Sequence, residues 1–340
     1  MRRFEGYLHG INLGGWFSQC DHSIERYDTF IKEEDFKRIA SWKLDHVRVP
    51  VDYELLLDEN YHFLEEGFER LNRCMDLSTK VHLNMILDLH KTPGYSFDDG
   101  EKEEGFFKSK TLQELFCKLW EELSIRFGRR KGLAFELLNE VDDPADKDIW
   151  NEIALRTIQR IRLHSPDIPI LVGGYGHNSA EAVKDLLLPF DTNIVYNFHC
   201  YSPLVFTHQG AYRIEGMDHY FRCSFPLSGK EYGRLSKIQI DNHFLDPGLD
   251  TEELIGKEYF RKLFKEAVET AEERGVPLYC GEYGTIDRAD PEDTRRWFEC
   301  ITSVFDEYGI GRALWSYREM DFGLIGTHYD SIREELISKI

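Results

Sequence analysis

The feature that most constrains this chain is an alternation of short apolar runs with longer segments of helical period. The runs cover residues 11–13, 46–50, 83–89, 133–138, 168–172, 194–198, 277–281 and 313–316. Helix-period segments lie between them at 33–42, 66–79, 112–126, 147–163, 180–188, 257–273 and 293–308, and a last one occupies 330–339. Strands that alternate with helices pair in parallel, because each helix carries the chain back to begin the next strand in the same direction. Eight such units is the number that closes a (β/α)8 (TIM) barrel. The expected fold class is therefore α/β, a (β/α)8 barrel forming a single domain over residues 1–340. The competing arrangement, a doubly wound open sheet, usually carries a glycine-rich phosphate loop after its first strand. Gly10-Ile-Asn-Leu-Gly14-Gly15 lacks the G-x-G-x-x-G spacing, and no acidic partner follows at the right distance.

One unit is swollen. Residues 203–256, after the sixth strand, form an insertion rich in aromatic residues and glycine, among them Phe206, Tyr212, Tyr220, Phe221, Phe225 and Tyr232. Loops of that length commonly serve as lids or binding loops. In a barrel the loops that follow strands emerge on the catalytic face, so this insertion is expected to roof part of a cleft.

Charge narrows the ligand. With 62 acidic and 42 basic residues the net charge is −20, which disfavours nucleic acid and an anionic membrane surface and suits a neutral polymer. Seven scattered cysteines, odd in number and without a C-x-x-C pair, are expected to be free thiols of a reducing compartment. Met1 to Gly6 lacks the apolar run of a signal peptide, and no stretch reaches the ~20 apolar residues of a membrane span, so a cytoplasmic protein is expected. A monomer is expected as well.

Two of the apolar runs end abruptly on a glutamate: Phe135-Glu-Leu-Leu-Asn139-Glu140 and Leu278-Tyr-Cys-Gly-Glu282-Tyr-Gly284. A carboxylate at the end of a buried strand is costly unless its charge is used. Two of them on similar strand ends suggest a catalytic pair facing one substrate, the arrangement that glycosidic cleavage requires. Arg48 in strand two, His90 ending strand three, Asn139 beside Glu140, His199 and Tyr201 after strand six and Trp315 in strand eight would share the same rim. Polar residues at that end of a barrel read as catalytic.

In their order, these residues and the segments around them make the chain resemble glycoside hydrolase family 5, the cellulase family of clan A. The matching segments are Gly10-Ile-Asn-Leu-Gly-Gly-Trp16, His46-Val-Arg48-Val-Pro50, Asp88-Leu-His90, Asn139-Glu140, Tyr196-Asn-Phe-His199-Cys-Tyr201, Glu282 and Ala313-Leu-Trp315. Within the family the chain looks most similar to compact single-domain clostridial endoglucanases, which also carry an insertion after strand six. The resemblance implies hydrolysis of β-1,4-glucan or mixed β-1,3-1,4-glucan, or of their oligosaccharides, with retention of configuration. Glu140 would be the general acid/base and Glu282 the nucleophile, and the charge of Glu282 would raise the pKa of Glu140. Arg48 would keep Glu282 ionised, Tyr201 would orient it, and Asn139 would bind the sugar 2-hydroxyl. His90 and His199 would hold other hydroxyls, and Trp315 would floor the cleavage subsite.

Trp16, Tyr95, Phe107 and Phe206 are candidate sugar platforms, each equally readable as packing. One departure from the family pattern is Lys91, which stands where many relatives have a second histidine after His90, so contacts at the outer part of that subsite are in doubt. No cofactor and no metal are expected: no H-E-x-x-H, Cys/His cluster or EF-hand loop accompanies Asp88-Leu-His90. The same motifs leave open β-mannanase, xyloglucanase or exo-β-glucosidase activity, and glycosyl transfer. A non-catalytic sugar-binding barrel is disfavoured, because such a protein needs neither proton donor nor nucleophile.

Overall fold

A strand buried on both faces needs helices on one side and its counterparts across a closed sheet on the other. The computed structural model describes residues 1–98, 104–240 and 246–340. In it, eight parallel strands close into a barrel in chain order. They are β1 (His9–Asn12), β2 (His46–Asp52), β3 (Asn84–Lys91), β4 (Leu133–Glu136), β5 (Ile170–Val172), β6 (Ile194–Cys200), β7 (Leu278–Tyr283) and β8 (Gly311–Leu314). The helices up to β5 are α1 (Ile24–Thr29), α2 (Glu33–Ser41), α3 (Glu65–Lys80), α4 (Lys110–Phe127) and α5 (Lys147–His164). After β5 come the single turn α6 (Tyr175–Asn178), then α7 (Leu204–Thr207), α8 (Gly229–Gln239), α9 (Lys257–Glu273), α10 (Pro291–Tyr308) and α11 (Arg333–Lys339).

The period of two along each strand stacks the barrel interior in layers. Ile86, Ala134, Leu171, Val195, Tyr279 and Ala313 form a buried apolar layer, sealed at the N-terminal end by Phe4 and Tyr7. Those two rings stack at 4.2 Å. Two residues further along the strands the same interior face carries Asp88, Glu136, Asn197, Gly281 and Trp315, with Asn12 and Arg48 joining from β1 and β2. The interior therefore changes from apolar to polar toward the C-terminal mouth. Register shifts in β6 and β7 near that mouth leave His199 opposite Glu282. Bulges of this kind re-aim side chains beside functional sites.

The structure departs from the sequence reading in three places. The helix expected over 180–188 is instead a 3-10 run, Ala180–Asp185, capped by the Ser179 side chain, with Leu186 already extended. Pro189 follows three leucines there and disfavours helical backbone in the residue before it. Helix α1 lies in a stretch given no helix in the sequence reading and α8 within the 203–256 loop; Gly229 and Gly233 within α8 weaken its helical signal. Strands β4 and β8 stop at Glu136 and Leu314, so Asn139, Glu140 and Trp315 stand just beyond the ladder.

Within 203–256, of which 241–245 lie outside the described residues, Phe206, Phe225 and Tyr232 are fully buried. Within the segment the Asp246 carboxylate accepts from Leu204 N–H at 2.7 Å, and Arg296 of α10 ties it to the barrel, its Nε donating to the Phe225 carbonyl at 3.0 Å.

Candidate active site

An arginine side chain in a barrel interior has no water to satisfy it, so its charge has to be met by protein groups. Arg48, wholly buried, is met by three carboxylates. Its Nε and Nη2 donate to Glu136 at 2.7 and 2.8 Å, Nη1 donates to Glu282 Oε1 at 2.7 Å, and Nη2 lies 3.0 Å from Asp88. Asn12 Oδ1 and Asn139 Oδ1 each accept from the same guanidinium at 2.9 Å. Asn197 completes the layer, donating to Glu136 at 2.8 Å and accepting from Gly281 N–H at 2.9 Å. A Cβ on Gly281 would meet His199 Nε2 at 2.8 Å and Asn197 Oδ1 at 2.9 Å, so the residue before Glu282 has to be glycine. The second oxygen of Glu282 accepts from Tyr201 OH at 2.8 Å. Both oxygens of this carboxylate are thereby fixed, one by a cation and one by a phenol.

Glu140 projects from the other side of the mouth. His199 Nδ1 is 2.7 Å from its Oε1 and 3.8 Å from Glu282 Oε2, so one imidazole spans the two carboxylates. His177, carried on α6, brings Nδ1 to 3.6 Å from Glu140 Oε2 and Nε2 to 3.1 Å from Asp142. The carboxylate oxygens of Glu140 and Glu282 and the His199 ring nitrogen lie within 4.8 Å of one another.

The electrostatics of Glu140 differ in sign from the sequence expectation. Burial works to raise its pKa, but hydrogen bonding and charge from His177 and His199 outweigh it and hold the carboxyl well below its usual range. Against burial, Asp142 and Glu140 push His177 up to about 10, and the charges of Glu282 and Glu140 raise His199. Burial raises Asp88 to about 6 despite Arg48, and raises Glu136 as well. His90, 2.7 Å from Asp88 through Nδ1, is pushed by burial down to about 4. Burial thus favours the neutral imidazole, and a carboxylate at Nδ1 favours the tautomer whose Nε2 accepts.

Among the buried polar atoms of the described residues with no protein hydrogen-bond partner are Asn139 Nδ2 and His90 Nε2, on the two residues beside the carboxylate cluster. Unsatisfied buried groups call for a partner the protein does not supply, and sugar hydroxyls would provide one. Trp315 lies parallel to the His90 ring at 5.9 Å. A Cβ on Gly14 would come within 2.6 Å of the indole, which accounts for the glycine in that motif.

Arg48, His90, Asn139, Glu140, His199, Tyr201, Glu282 and Trp315 all converge on this mouth. Two of the four candidate platforms do not stand open, while Tyr95 and Phe107 are half-buried. Trp16 and Phe206 are buried in the core, and Tyr95 packs edge-on against Phe107 at 5.1 Å. Lys91 is buried over the Tyr53 ring and paired with Glu54 at 2.5 Å.

Sequence reasoning missed Asn12, Glu136, Asn197 and His177. Glu136 had a signal, a charge in mid-strand among apolar residues. His177 had none, because only the tertiary approach of α6 to the β4 loop gives it a role. Two groups among the described residues offer three clustered ligand atoms for a cation: Glu140/His199/Glu282 and His22/Asp52/Glu54. In the first, Glu282 is already neutralised by Arg48 and His199 Nδ1 is engaged by Glu140, a donor set poorly suited to a divalent ion.

A family model described as Cellulase (glycosyl hydrolase family 5) matches residues 9–321. Cellodextrinase A of Ruminococcus flavefaciens is 44% identical over 313 residues, covering 92% of this chain and 86% of the relative. Endoglucanase C of Acetivibrio thermocellus is 38% identical over 335 residues, covering 97% of this chain and 96% of the relative. A solved structure described as a glycoside hydrolase superposes with a TM-score of 0.80 at 21% identity, covering 98% of this chain and 99% of the other. At that identity the likeness concerns the fold.

Proposed function

This chain belongs to the cellulase family, glycosyl hydrolase family 5, and on that footing we propose that it cleaves β-1,4-glucan, mixed β-1,3-1,4-glucan and their oligosaccharides with retention. The protein is a glycoside hydrolase of endoglucanase type. The observation that carries the mechanism is the separation of the two carboxylates, whose oxygens come within 4.8 Å. Retaining enzymes hold the pair ~5–5.5 Å apart, whereas inverting enzymes need ~6.5–9.5 Å to admit a water.

In the first step Glu282 attacks C1 while Glu140 delivers a proton to the glycosidic oxygen. The C1–O bond breaks and a glycosyl ester forms on Glu282. In the second step Glu140 takes a proton from water, the water oxygen bonds to C1, and the Glu282 carboxylate departs. Arg48 and Tyr201 grip the two oxygens of the nucleophile and aim it at C1. Before sugar binds, the contacts with His177 and His199 favour the ionised form of Glu140. A sugar displaces water and strengthens the effect of burial, which favours the protonated carboxyl that the first step needs. Asn139 Nδ2 meets the 2-hydroxyl, His90 Nε2 and His199 meet other hydroxyls, and Trp315 floors the subsite. The described residues of the 203–256 insertion roof part of the cleft, a reading supported by Arg213, which reaches Asp98 of the β3 loop at 2.7 Å.

The test is the anomeric form of the first product from cellohexaose, followed by NMR, beside digests of barley β-glucan and mannan. Initial β-anomer from the glucans, lost in Glu282→Gln, is expected. Initial α-anomer would overturn the double displacement. Cleavage of mannan alone would overturn the substrate.

A further inference from the structure

Glu140 has φ of 27°, on the left-handed side that a β-carbon resists. A residue stays in such a conformation only where its surroundings over-determine it. Here three successive carbonyls are each held from another loop. Tyr95 OH donates to the Glu140 carbonyl at 2.6 Å, His177 N–H to that of Val141 at 3.1 Å, and Gly176 N–H to that of Asp142 at 2.9 Å. The Tyr95 hydroxyl also accepts from Asp142 N–H at 2.9 Å, so one oxygen ties both ends of the 140–142 segment. The two peptide donors sit on α6, whose residues 176–178 all have positive φ. Tyr95 itself comes from the β3 loop, so Glu140 is gripped from both flanking loops.

We propose that Tyr95 is a positioning residue for the general acid/base: its hydroxyl locks the left-handed backbone of Glu140 and so fixes the carboxyl relative to the glycosidic oxygen. The ring is half-buried. It packs edge-on against Phe107 and tilted against Phe106, which leaves the hydroxyl as its working part. The inference rests on Glu140 being the acid/base, and its test separates the two.

Tyr95→Phe keeps the ring and removes both hydrogen bonds. Aryl β-cellobiosides then report on acid help, because a dinitrophenolate leaves without a proton and a phenolate does not. Here kcat/KM reports the glycosylation step. For Tyr95→Phe it is expected to fall about 10- to 100-fold on phenyl cellobioside, part of the ~10²–10⁴ that proton transfer contributes. On the dinitrophenyl substrate it is expected to stay within about twofold, since that departure needs no proton. Azide needs no general base, so it should raise the variant's kcat on the dinitrophenyl substrate and leave wild type unchanged. Tyr95→Met, which removes the hydroxyl through a different side chain, should give the same split. Equal losses on both substrates, or no loss on either, would overturn the proposal. Glu140→Ala is the reference. If it shows the split and Tyr95→Phe does not, only the role of Tyr95 fails. If Glu140→Ala shows no split, the assignment of Glu140 fails as well.

Discussion

Arg48 binds Glu136, Asp88 and Glu282 at once, with distances of 2.7, 3.0 and 2.7 Å. Removing its charge leaves three carboxylates buried against one another. Breaking a buried pair by deleting one partner costs ~3–5 kcal/mol, and the expected loss for Arg48→Met in urea unfolding is at the upper end of that range. Arg48→Lys keeps the charge but cannot grip Glu136 with a fork while reaching Glu282. It should stay folded yet lose activity on the order of 100-fold, the scale of a ~1 Å misplacement at the reacting centre. A Lys variant with full kcat would show that charge alone suffices. His177 gives a second test. Its pKa is raised to about 10, against ~6.5 unfolded. A raised folded pKa stabilises fully below the unfolded value, and that contribution is lost as pH climbs through the folded one. The stability gap between wild type and His177→Asn should therefore be widest at pH 6 and close toward pH 10, as read by urea titrations at pH 6, 8 and 10. A gap independent of pH would remove the ion pair with Glu140 and Asp142 as its cause. Arg48, Glu140 and Glu282 were legible because a charge at the mouth end of an apolar strand needs a reason. Tyr95 and His177 were not, since their roles depend on three loops meeting.

Helix α10 illustrates what a short segment says about itself. Its helical period is plain from 293 onward, yet the helix begins at Pro291 because Asp290 caps it, accepting from Glu292 and Asp293 N–H at 2.9 and 3.2 Å. A capping aspartate followed by proline at the first helical position is a start signal readable in sequence. Asp290→Ala should cost about 1 kcal/mol, the usual value of a side-chain cap. Its kcat/KM on cellohexaose should be unchanged, because the helix packs outside the barrel; a fall in activity without loss of stability would contradict that. The stretch after β5 shows the opposite case. Ala180–Asp185 offers helix-forming residues, but the leucines beyond it run into Pro189, and the crossover closes with a 3-10 run instead. Strands were easier to read than crossovers, because a strand's apolar run is set by burial on both faces, while a crossover need only span the distance and cover the sheet. The exact ends of β4 and β8 were not legible, since the ladder stops where Asn139, Glu140 and Trp315 turn into the mouth.

At the scale of the whole molecule, closure of eight strands puts a polar layer directly above an apolar one, and every functional side chain then rises from the same rim. That rim belongs to a protein with a net charge of −20, from 62 acidic and 42 basic residues. A field of this sign acts on charged ligands over roughly the Debye length, ~10 Å at 0.1 M salt and ~30 Å at 0.01 M. It does not act on a neutral sugar. For cellohexaose, kcat/KM should therefore change by less than about twofold between 10 and 500 mM NaCl, because no long-range steering is present to screen. Carboxymethylated glucan brings its own negative charge to the same cleft. Its KM should be high at low salt and fall as salt screens the repulsion, while kcat stays level once the chain is bound. Measuring both substrates across one salt series separates the field from the chemistry, since any salt effect on Glu140 or Glu282 would appear with the neutral substrate too. If the neutral oligosaccharide showed the same salt dependence as the anionic one, the effect would have to arise inside the site, in the Arg48 or His199 ion pairs. The overall charge would then have no part in substrate choice.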